Sequence, residues 1–177
     1  MFVFKIKNFL SIIFILILSV SFIGSGIYSY SEKSLIEFSG DFCWPLNGYT
    51  YISSKFGYRS SPTSGASTYH SGIDIPAPEG TPIYSVTSGV VTFCSWGAGG
   101  GYTVVIENET YKISYCHVSP VMIVKLKEEV KAGEQISNVG PKNVYGISNN
   151  PYKDSNGNPT NGATTGCHLH LSIRKDR

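Results

Sequence analysis

Beyond residue 42 the chain consists of short segments rich in β-branched and aromatic residues, with turn-forming residues between them. The sequence holds 19 glycines, 9 prolines and 12 tyrosines, a composition that favours short strands joined by turns. Residues 97–101 predict a hairpin-like turn, and residues 119–127 predict a single helical turn. The segments that predict strands are residues 84–86, 90–94, 102–107, 111–117 and 167–173. The fold class that follows is mainly β.

The N-terminal part of the chain has a different character. Residues 9–27 are almost entirely apolar, and these 19 residues would span roughly 28 Å as a helix, close to the hydrocarbon thickness of a bilayer. We therefore expect one N-terminal apolar helix, and residues 1–31 to be a signal peptide or a transmembrane anchor; both alternatives stay open. Residues 32–42 are interpreted as a short linker. Residues 43–177 are then an extracytoplasmic domain, either secreted or held at the membrane by a single pass if the helix is uncleaved.

Charge and cysteine content argue against several classes of function. The formal net charge is +2, and residues 1–31 carry that excess, so the remainder of the chain is neutral. Affinity for nucleic acids comes mainly from neutralising phosphates, and a neutral domain therefore argues against a nucleic-acid partner. No Cys-x-x-Cys spacing is present, which argues against a zinc ribbon or a thiol redox motif. Three disulfide pairings are open to the four cysteines, which are Cys43, Cys94, Cys116 and Cys167.

The four histidines carry the strongest chemical signal. His168 and His170 alternate with apolar residues, so that both imidazoles lie on one face of a strand. His70, Gly72 and Asp74 follow the same alternation, and the glycine leaves room for an ion between the two polar groups. Two such pairs in an extracytoplasmic β domain predict a zinc site of two histidines and one aspartate. Catalytic zinc typically has three protein ligands and an open position.

Three motifs follow one another along the chain. They are His70-x-x-x-Asp74, Tyr115-x-His117 and Thr165-Gly166-x-His168-x-His170. Together they resemble the lysostaphin/LytM-type zinc metallopeptidases of bacterial cell walls. The likeness covers residues 44–174 and includes the phrase Phe-Gly-Tyr-Arg at residues 56–59. The resemblance implies a small, mainly antiparallel β-sheet domain, barrel- or sandwich-like, with a groove.

The resemblance also implies residue roles. Carried over position by position, it makes His70, Asp74 and His170 the ligands of one Zn²⁺ ion, and His117 and His168 the catalytic pair beside it. Zinc can lower the pKa of a bound water toward about 7 and polarise the scissile carbonyl. An imidazole whose pKa is near neutrality can take and return the proton. Which of the two histidines is the base stays open.

The function implied is that of an extracytoplasmic zinc metalloendopeptidase that hydrolyses peptide bonds of bacterial peptidoglycan, in the stem peptide or the cross-bridge. Its partners are then peptidoglycan peptides, and the membrane if the N-terminal helix is retained. The alternative is a catalytically silent, membrane-tethered module of the same fold that binds peptidoglycan or activates another hydrolase. All five functional positions are occupied here, which favours the enzyme.

Two cysteines stand next to the motif histidines. Cys116 precedes His117, and Cys167 precedes His168. By strand alternation both should point away from the cleft, into the layer behind it. If the two strands are neighbours, a Cys116–Cys167 disulfide would brace that layer; otherwise the two residues are small buried thiols. Both alternatives stay open.

Residues 140–166 are poor in apolar residues, and a loop of that length is usually functional or mobile. We expect it to flank the substrate rather than to bind calcium. The weak calcium-loop pattern that begins at Asp154 has Thr165 instead of glutamate at its twelfth position. Tyr69 and Tyr115 are the tyrosines best placed for a peptide-binding rim, although strand tyrosines are also simply good β formers.

Overall fold

The computed structural model of the protein describes residues 42–175, and short β-strands dominate this part of the chain. A 3₁₀ turn, Ala98–Gly100, joins the fifth strand to the sixth where the sequence predicts a turn. In chain order the strands are β1 (Gly57–Tyr58), β2 (Tyr69–His70), β3 (Ile73–Pro76), β4 (Pro82–Tyr84), β5 (Gly89–Trp96), β6 (Tyr102–Glu107), β7 (Tyr111–Cys116), β8 (Glu129–Val130), β9 (Gln135–Asn138) and β10 (His168–Lys175). The predicted mainly β fold is confirmed.

The strands form one main sheet and two small ribbons. The main sheet has six strands in the order β3-β10-β7-β6-β5-β8, and the ribbons are β1-β2 and β4-β9. Every pairing is antiparallel, as expected for the domain. The last strand, β10, is inserted between β3 and β7. This insertion places the histidine-rich end of the described chain next to the segment that follows His70.

The hydrophobic core follows from strand alternation. In β10, Leu169 and Leu171 are buried, whereas His168 and His170 are only partly buried on the opposite face. This division confirms the alternation predicted for the last strand and leaves one face of β10 for polar chemistry. The largest fully buried aliphatic side chains of the core are Leu46, Ile75, Ile83, Ile106, Ile113, Ile136 and Leu169.

The predicted N-terminal helix lies outside the residues that the structure describes. The boundaries expected at residues 1–31, 32–42 and 43–177 therefore stay predictions. Among residues 42–175, no helix has the length and apolar character needed to cross a membrane.

Residues 119–127 do not form the predicted helical turn. Their backbone groups bond to neighbouring segments instead: the N–H of Ser119 donates to the carbonyl of Asn138, and the N–H of Lys127 to that of Val91, both at 2.8 Å. Lys127 also has a φ of 70°, which is incompatible with a right-handed helix. Tertiary hydrogen bonds thus override a weak local preference.

Tyr115 is not the rim residue that the sequence suggested, because β7 directs it into the core. Its side chain is fully buried, and its hydroxyl accepts a hydrogen bond from the N–H of Val86 at 2.8 Å. Burial raises the pKa of Tyr115 to about 12. Tyr69, in contrast, is 42% exposed and packs edge-to-face against Phe56 and Tyr58 beside the site. Of the two tyrosines, only Tyr69 is exposed and can contact a ligand.

Replacing Tyr115 with phenylalanine should lower the free energy of unfolding by about 1–3 kcal/mol, because the N–H of Val86 would lose its buried partner. Urea unfolding followed by circular dichroism measures this change. Tyr58→Phe, at a position that is 90% exposed, is the matched control and should change the free energy by less than about 0.5 kcal/mol. Equal stability of the two variants would contradict this account of the buried hydroxyl.

Candidate active site

His70, Asp74 and His170 come together at one edge of the main sheet. Because β3 pairs with β10, Asp74 lies directly opposite His170, and opposite residues of an antiparallel pair project to the same face. His70 ends β2, and a bend at residues 71–72 separates it from β3. His70 and Asp74 thus do not share one continuous strand, as the alternation suggested, although their side chains do converge.

Gly72 lies in this bend, against the backbone of β10. A Cβ atom at position 72 would lie 2.2 Å from the carbonyl oxygen of Leu171 and 3.0 Å from Nε2 of His170. Any side chain would therefore push the bend away from β10. The sequence interpretation, in which Gly72 leaves room for an ion, is corrected: the glycine allows the close approach of two backbone segments that brings His70 to His170.

Three side-chain atoms form a compact group at this point. Nε2 of His70 lies 2.8 Å from Nδ1 of His170, and Oδ1 of Asp74 lies 3.1 Å and 2.9 Å from these two nitrogens. The group is one that could hold a metal ion, since all three atoms lie within 4.8 Å of one another. Two imidazole nitrogens and one carboxylate oxygen are a donor set that suits zinc, so these residues fit the ion that the sequence predicts.

Hydrogen bonds to surrounding groups fix these side chains. Nδ1 of His70 donates to the backbone carbonyl of Lys55 at 2.9 Å, which leaves the lone pair on Nε2 and turns it toward Asp74 and His170. The second carboxylate oxygen of Asp74, Oδ2, accepts a hydrogen bond from Nη1 of Arg59 at 3.0 Å. The ligand atoms are therefore oriented before any ion binds.

The protonation states also suit a cation. Burial opposes ionisation of Asp74, but its interactions with the neighbouring imidazoles of His168 and His170 outweigh burial and hold the pKa of the carboxyl well below its ordinary value. Burial lowers the pKa of His70 below its ordinary value. At neutral pH Asp74 is thus ionised and His70 is neutral, which are the states in which each binds a metal.

His117 stands at the end of β7, beside this group. Its φ of 60° ends the strand alternation and turns the ring into the cleft. Nδ1 donates to the backbone carbonyl of Asn161 at 2.7 Å, so the lone pair is on Nε2. Burial lowers the pKa of His117 to about 3, and the imidazole is neutral at pH 7.

His168 faces His117, with the two ring centres 4.7 Å apart. Nδ1 of His168 donates to the backbone carbonyl of Gly166 at 2.9 Å, and the hydroxyl of Thr164 lies 3.3 Å from the same nitrogen. Nε2 of His168 lies 3.5 Å from Oδ1 of Asp74. Both histidines of the predicted catalytic pair are therefore held through Nδ1, and each keeps Nε2 as a proton acceptor.

A cleft of about 400 Å³ opens onto these side chains. Asp74, His117, His168 and His170 line it, and residues 163–166 form part of its wall. A second cavity of about 260 Å³ shares His117 and His170 with it and extends past His70. The five predicted functional residues thus line two adjoining cavities, and their individual roles stay predictions.

Of residues 140–166, the last four line this cleft, and Asn161 next to them makes buried polar contacts that hold the loop in place. Oδ1 of Asn161 accepts a hydrogen bond from the N–H of Tyr102 at 2.8 Å, and Nδ2 donates to the carbonyl of Val118 at 3.0 Å. The backbone carbonyl of the same asparagine orients His117. The expectation that this loop flanks the cleft agrees with the position of residues 163–166.

The four cysteines are free thiols. The prediction that Cys116 points away from the cleft is wrong. Cys116 lies opposite both His170 and Thr103 in the sheet, on the face of the site, and burial raises its pKa to about 11. The reason is the backbone turn at His117, which lets two consecutive residues face the cleft.

Residues 68–177 match the family described as Peptidase family M23. The chain belongs to peptidase family M23. Among its relatives, the DD-carboxypeptidase/endopeptidase Mpg of Neisseria meningitidis serogroup B is 34% identical over 127 residues, which are 71% of this chain and 25% of the relative. The chain therefore spans about a quarter of the length of that relative.

Solved structures of similar proteins agree with the fold. A zinc-containing peptidase from Vibrio cholerae gives a TM-score of 0.57 at 30% identity, covering 75% of this chain and 36% of that one. The catalytic domain of lysostaphin from Staphylococcus simulans gives a TM-score of 0.57 at 25% identity, covering 75% of this chain and 84% of that one. The resemblance inferred from the three sequence motifs is confirmed.

Sequence reasoning missed three residues that support the M23 site. Ser54 and Arg59 contact His70 and Asp74, and Asn161 orients His117. Arg59 belongs to the Phe-Gly-Tyr-Arg phrase noted in the sequence, but nothing in that phrase indicates its contact. Ser54 and Arg59 also precede the segment matched to the family.

Proposed function

We propose that the protein is an extracytoplasmic zinc metalloendopeptidase that hydrolyses peptide bonds of bacterial peptidoglycan. The observation that carries the proposal is the convergence of Nε2 of His70, Oδ1 of Asp74 and Nδ1 of His170 beside a cleft that two further oriented imidazoles line. Membership of peptidase family M23 and the wall-hydrolysing relatives support the reaction and the substrate class.

His70, Asp74 and His170 would hold the ion. One zinc ion bound there supplies a Lewis acid that lowers the pKa of a water molecule and polarises a peptide carbonyl. The single negative charge of Asp74 offsets part of the charge of the ion, and the imidazoles of His70 and His170 each offer one nitrogen to it. The donor set thus leaves a net positive site that favours the developing negative charge of an attacked carbonyl.

His117 and His168 would carry the protons. Peptide hydrolysis requires that a proton leave the attacking water and that one reach the departing amine. Each imidazole holds its own proton on Nδ1 against a backbone carbonyl, so Nε2 is the atom that accepts and returns a proton. The hydrogen bonds to Asn161 and Gly166 keep the two rings at the cleft and stabilise a charge that forms on them.

The cleft suits an extended peptide. Residues 53–54 and 163–166, which line it, are small and include four serine or threonine hydroxyls. Such groups bind a peptide main chain by hydrogen bonds. Because peptidoglycan lies outside the cytoplasmic membrane, the domain would act there, either secreted or anchored by residues 1–31.

The test is mass spectrometry of fragments that the full-length chain releases from purified peptidoglycan. We expect new peptide termini with the zinc-loaded protein, and none after a chelator has removed the metal. The masses of the fragments would identify the bond as one in the stem peptide or the cross-bridge. Stoichiometric zinc without new termini on any peptidoglycan would contradict the proposal and favour a catalytically silent binding or activating module.

A further inference from the structure

Arg59 bonds directly to one candidate ligand, Asp74, and is linked to a second, His70, through Ser54. Nη1 of Arg59 donates to Oδ2 of Asp74 at 3.0 Å and to Oγ of Ser54 at 2.5 Å. The same hydroxyl oxygen of Ser54 lies 3.2 Å from Nδ1 of His70. The backbones of Ser54 and Asp74 are bridged as well, since the N–H of Asp74 donates to the carbonyl of Ser54 at 2.9 Å. Residues 53–59 therefore contact both His70 and Asp74.

The environment of Arg59 is unfavourable for a purely structural ion pair. The side chains of Arg59 and Asp74 are 22% and 13% exposed, so both charges are largely removed from water. Nε of Arg59 is buried, and it has no hydrogen-bond partner among residues 42–175. Burying a charged donor without a partner costs free energy. An apolar side chain would satisfy packing at lower cost, so the arrangement indicates a role at the site.

The two oxygens of Asp74 are used differently. Oδ1 faces His70 and His170, whereas Oδ2 is occupied by Arg59. A carboxylate that is free to rotate can offer one or both oxygens to a metal. The hydrogen bond from Arg59 fixes the plane of the carboxylate and withholds Oδ2.

We propose that Arg59 is a positioning residue that makes Asp74 a one-oxygen ligand. The guanidinium holds Oδ2, and Oδ1 alone is presented to the ion. The coordination number thereby stays low, and a position is kept open for water and substrate. The inference rests on the proposed metal site, and it concerns how the site is held rather than which bond is cut.

The test uses the full-length chain loaded with zinc or with Co²⁺. We expect Arg59→Gln to weaken zinc affinity about 10–100-fold, measured by competition with a chromophoric chelator. The visible absorption of the Co²⁺ form should also weaken, because Co²⁺ absorbs less strongly when its coordination number rises above four. Arg59→Lys keeps the charge and can reach one of the two acceptors, so it should fold, and its zinc affinity should lie between those of the parent and Arg59→Gln.

Arg174→Gln is the matched control, since it removes the same charge from an exposed position of β10. It should leave both readouts unchanged. Three results would overturn the inference: parental affinity and spectrum in both Arg59 variants, weakened affinity with a parental spectrum, or equal effects in the Arg174 control. Loss of hydrolysis with both metal readouts unchanged would also overturn it and assign Arg59 to substrate. If the parent binds no zinc, the proposed function itself fails.

Discussion

Asp74→Ala should abolish both zinc binding and peptidoglycan hydrolysis. The change removes the oxygen that faces His70 and His170 and leaves only two imidazole nitrogens. Zinc affinity should fall by more than about 100-fold, because altering groups that merely support ligands already costs about 10–100-fold. Zinc content after gel filtration and the number of new peptide termini measure the two effects.

Glu79→Ala is the control for Asp74→Ala. It removes the same charge from an exposed position nearby and should keep both zinc and hydrolysis. Circular dichroism checks the fold of both variants, because Asp74→Ala leaves the largely buried Arg59 without its partner. We expect the parental spectrum in each. Parental zinc content in folded Asp74→Ala would remove Asp74 from the set of ligands.

His168→Ala should separate catalysis from metal binding. We expect kcat to fall about 10²–10⁴-fold, the usual contribution of a general acid or base. Zinc should remain bound, since His70, Asp74 and His170 form the close group and Nδ1 of His168 is engaged by Gly166. Rates of peptide release and zinc content on the same preparation give both values.

The matched variant is His170→Ala, two residues away on the same face of β10. It should lose zinc as well as activity, because Nδ1 of His170 belongs to the close group. Release of zinc by His168→Ala would make His168 a fourth ligand. A parental rate in His168→Ala would remove its imidazole from proton transfer.

Strand alternation predicted the site wherever a regular strand continues. In β10 it places His168 and His170 on one face and Leu169 and Leu171 in the core, as the sequence indicated. Alternation failed at the end of β7. There the left-handed backbone of His117 turns its side chain into the cleft, although the preceding residue, Cys116, already faces it. A single dihedral angle of this kind depends on tertiary contacts and leaves no periodic signal.

The hydrogen bonds that hold the side chains of the site could not be predicted from the sequence, for a related reason. The three imidazoles held through Nδ1 bond to backbone carbonyls, those of Lys55, Asn161 and Gly166. Every residue has a carbonyl, so residue type does not identify such partners. The pairing of Arg59 with Asp74 depends on the bridge between residues 54 and 74, which only the fold reveals.

We expect one zinc ion at His70, Asp74 and His170 to enable the hydrolysis of peptidoglycan peptides. Zinc is returned stepwise to the metal-free, full-length protein, and new peptide termini are counted at each step. We predict no termini without zinc, a rise in proportion to added zinc, and a plateau at one zinc per chain. Termini formed at the same rate by the metal-free protein, or full zinc occupancy without any termini, would contradict the claim.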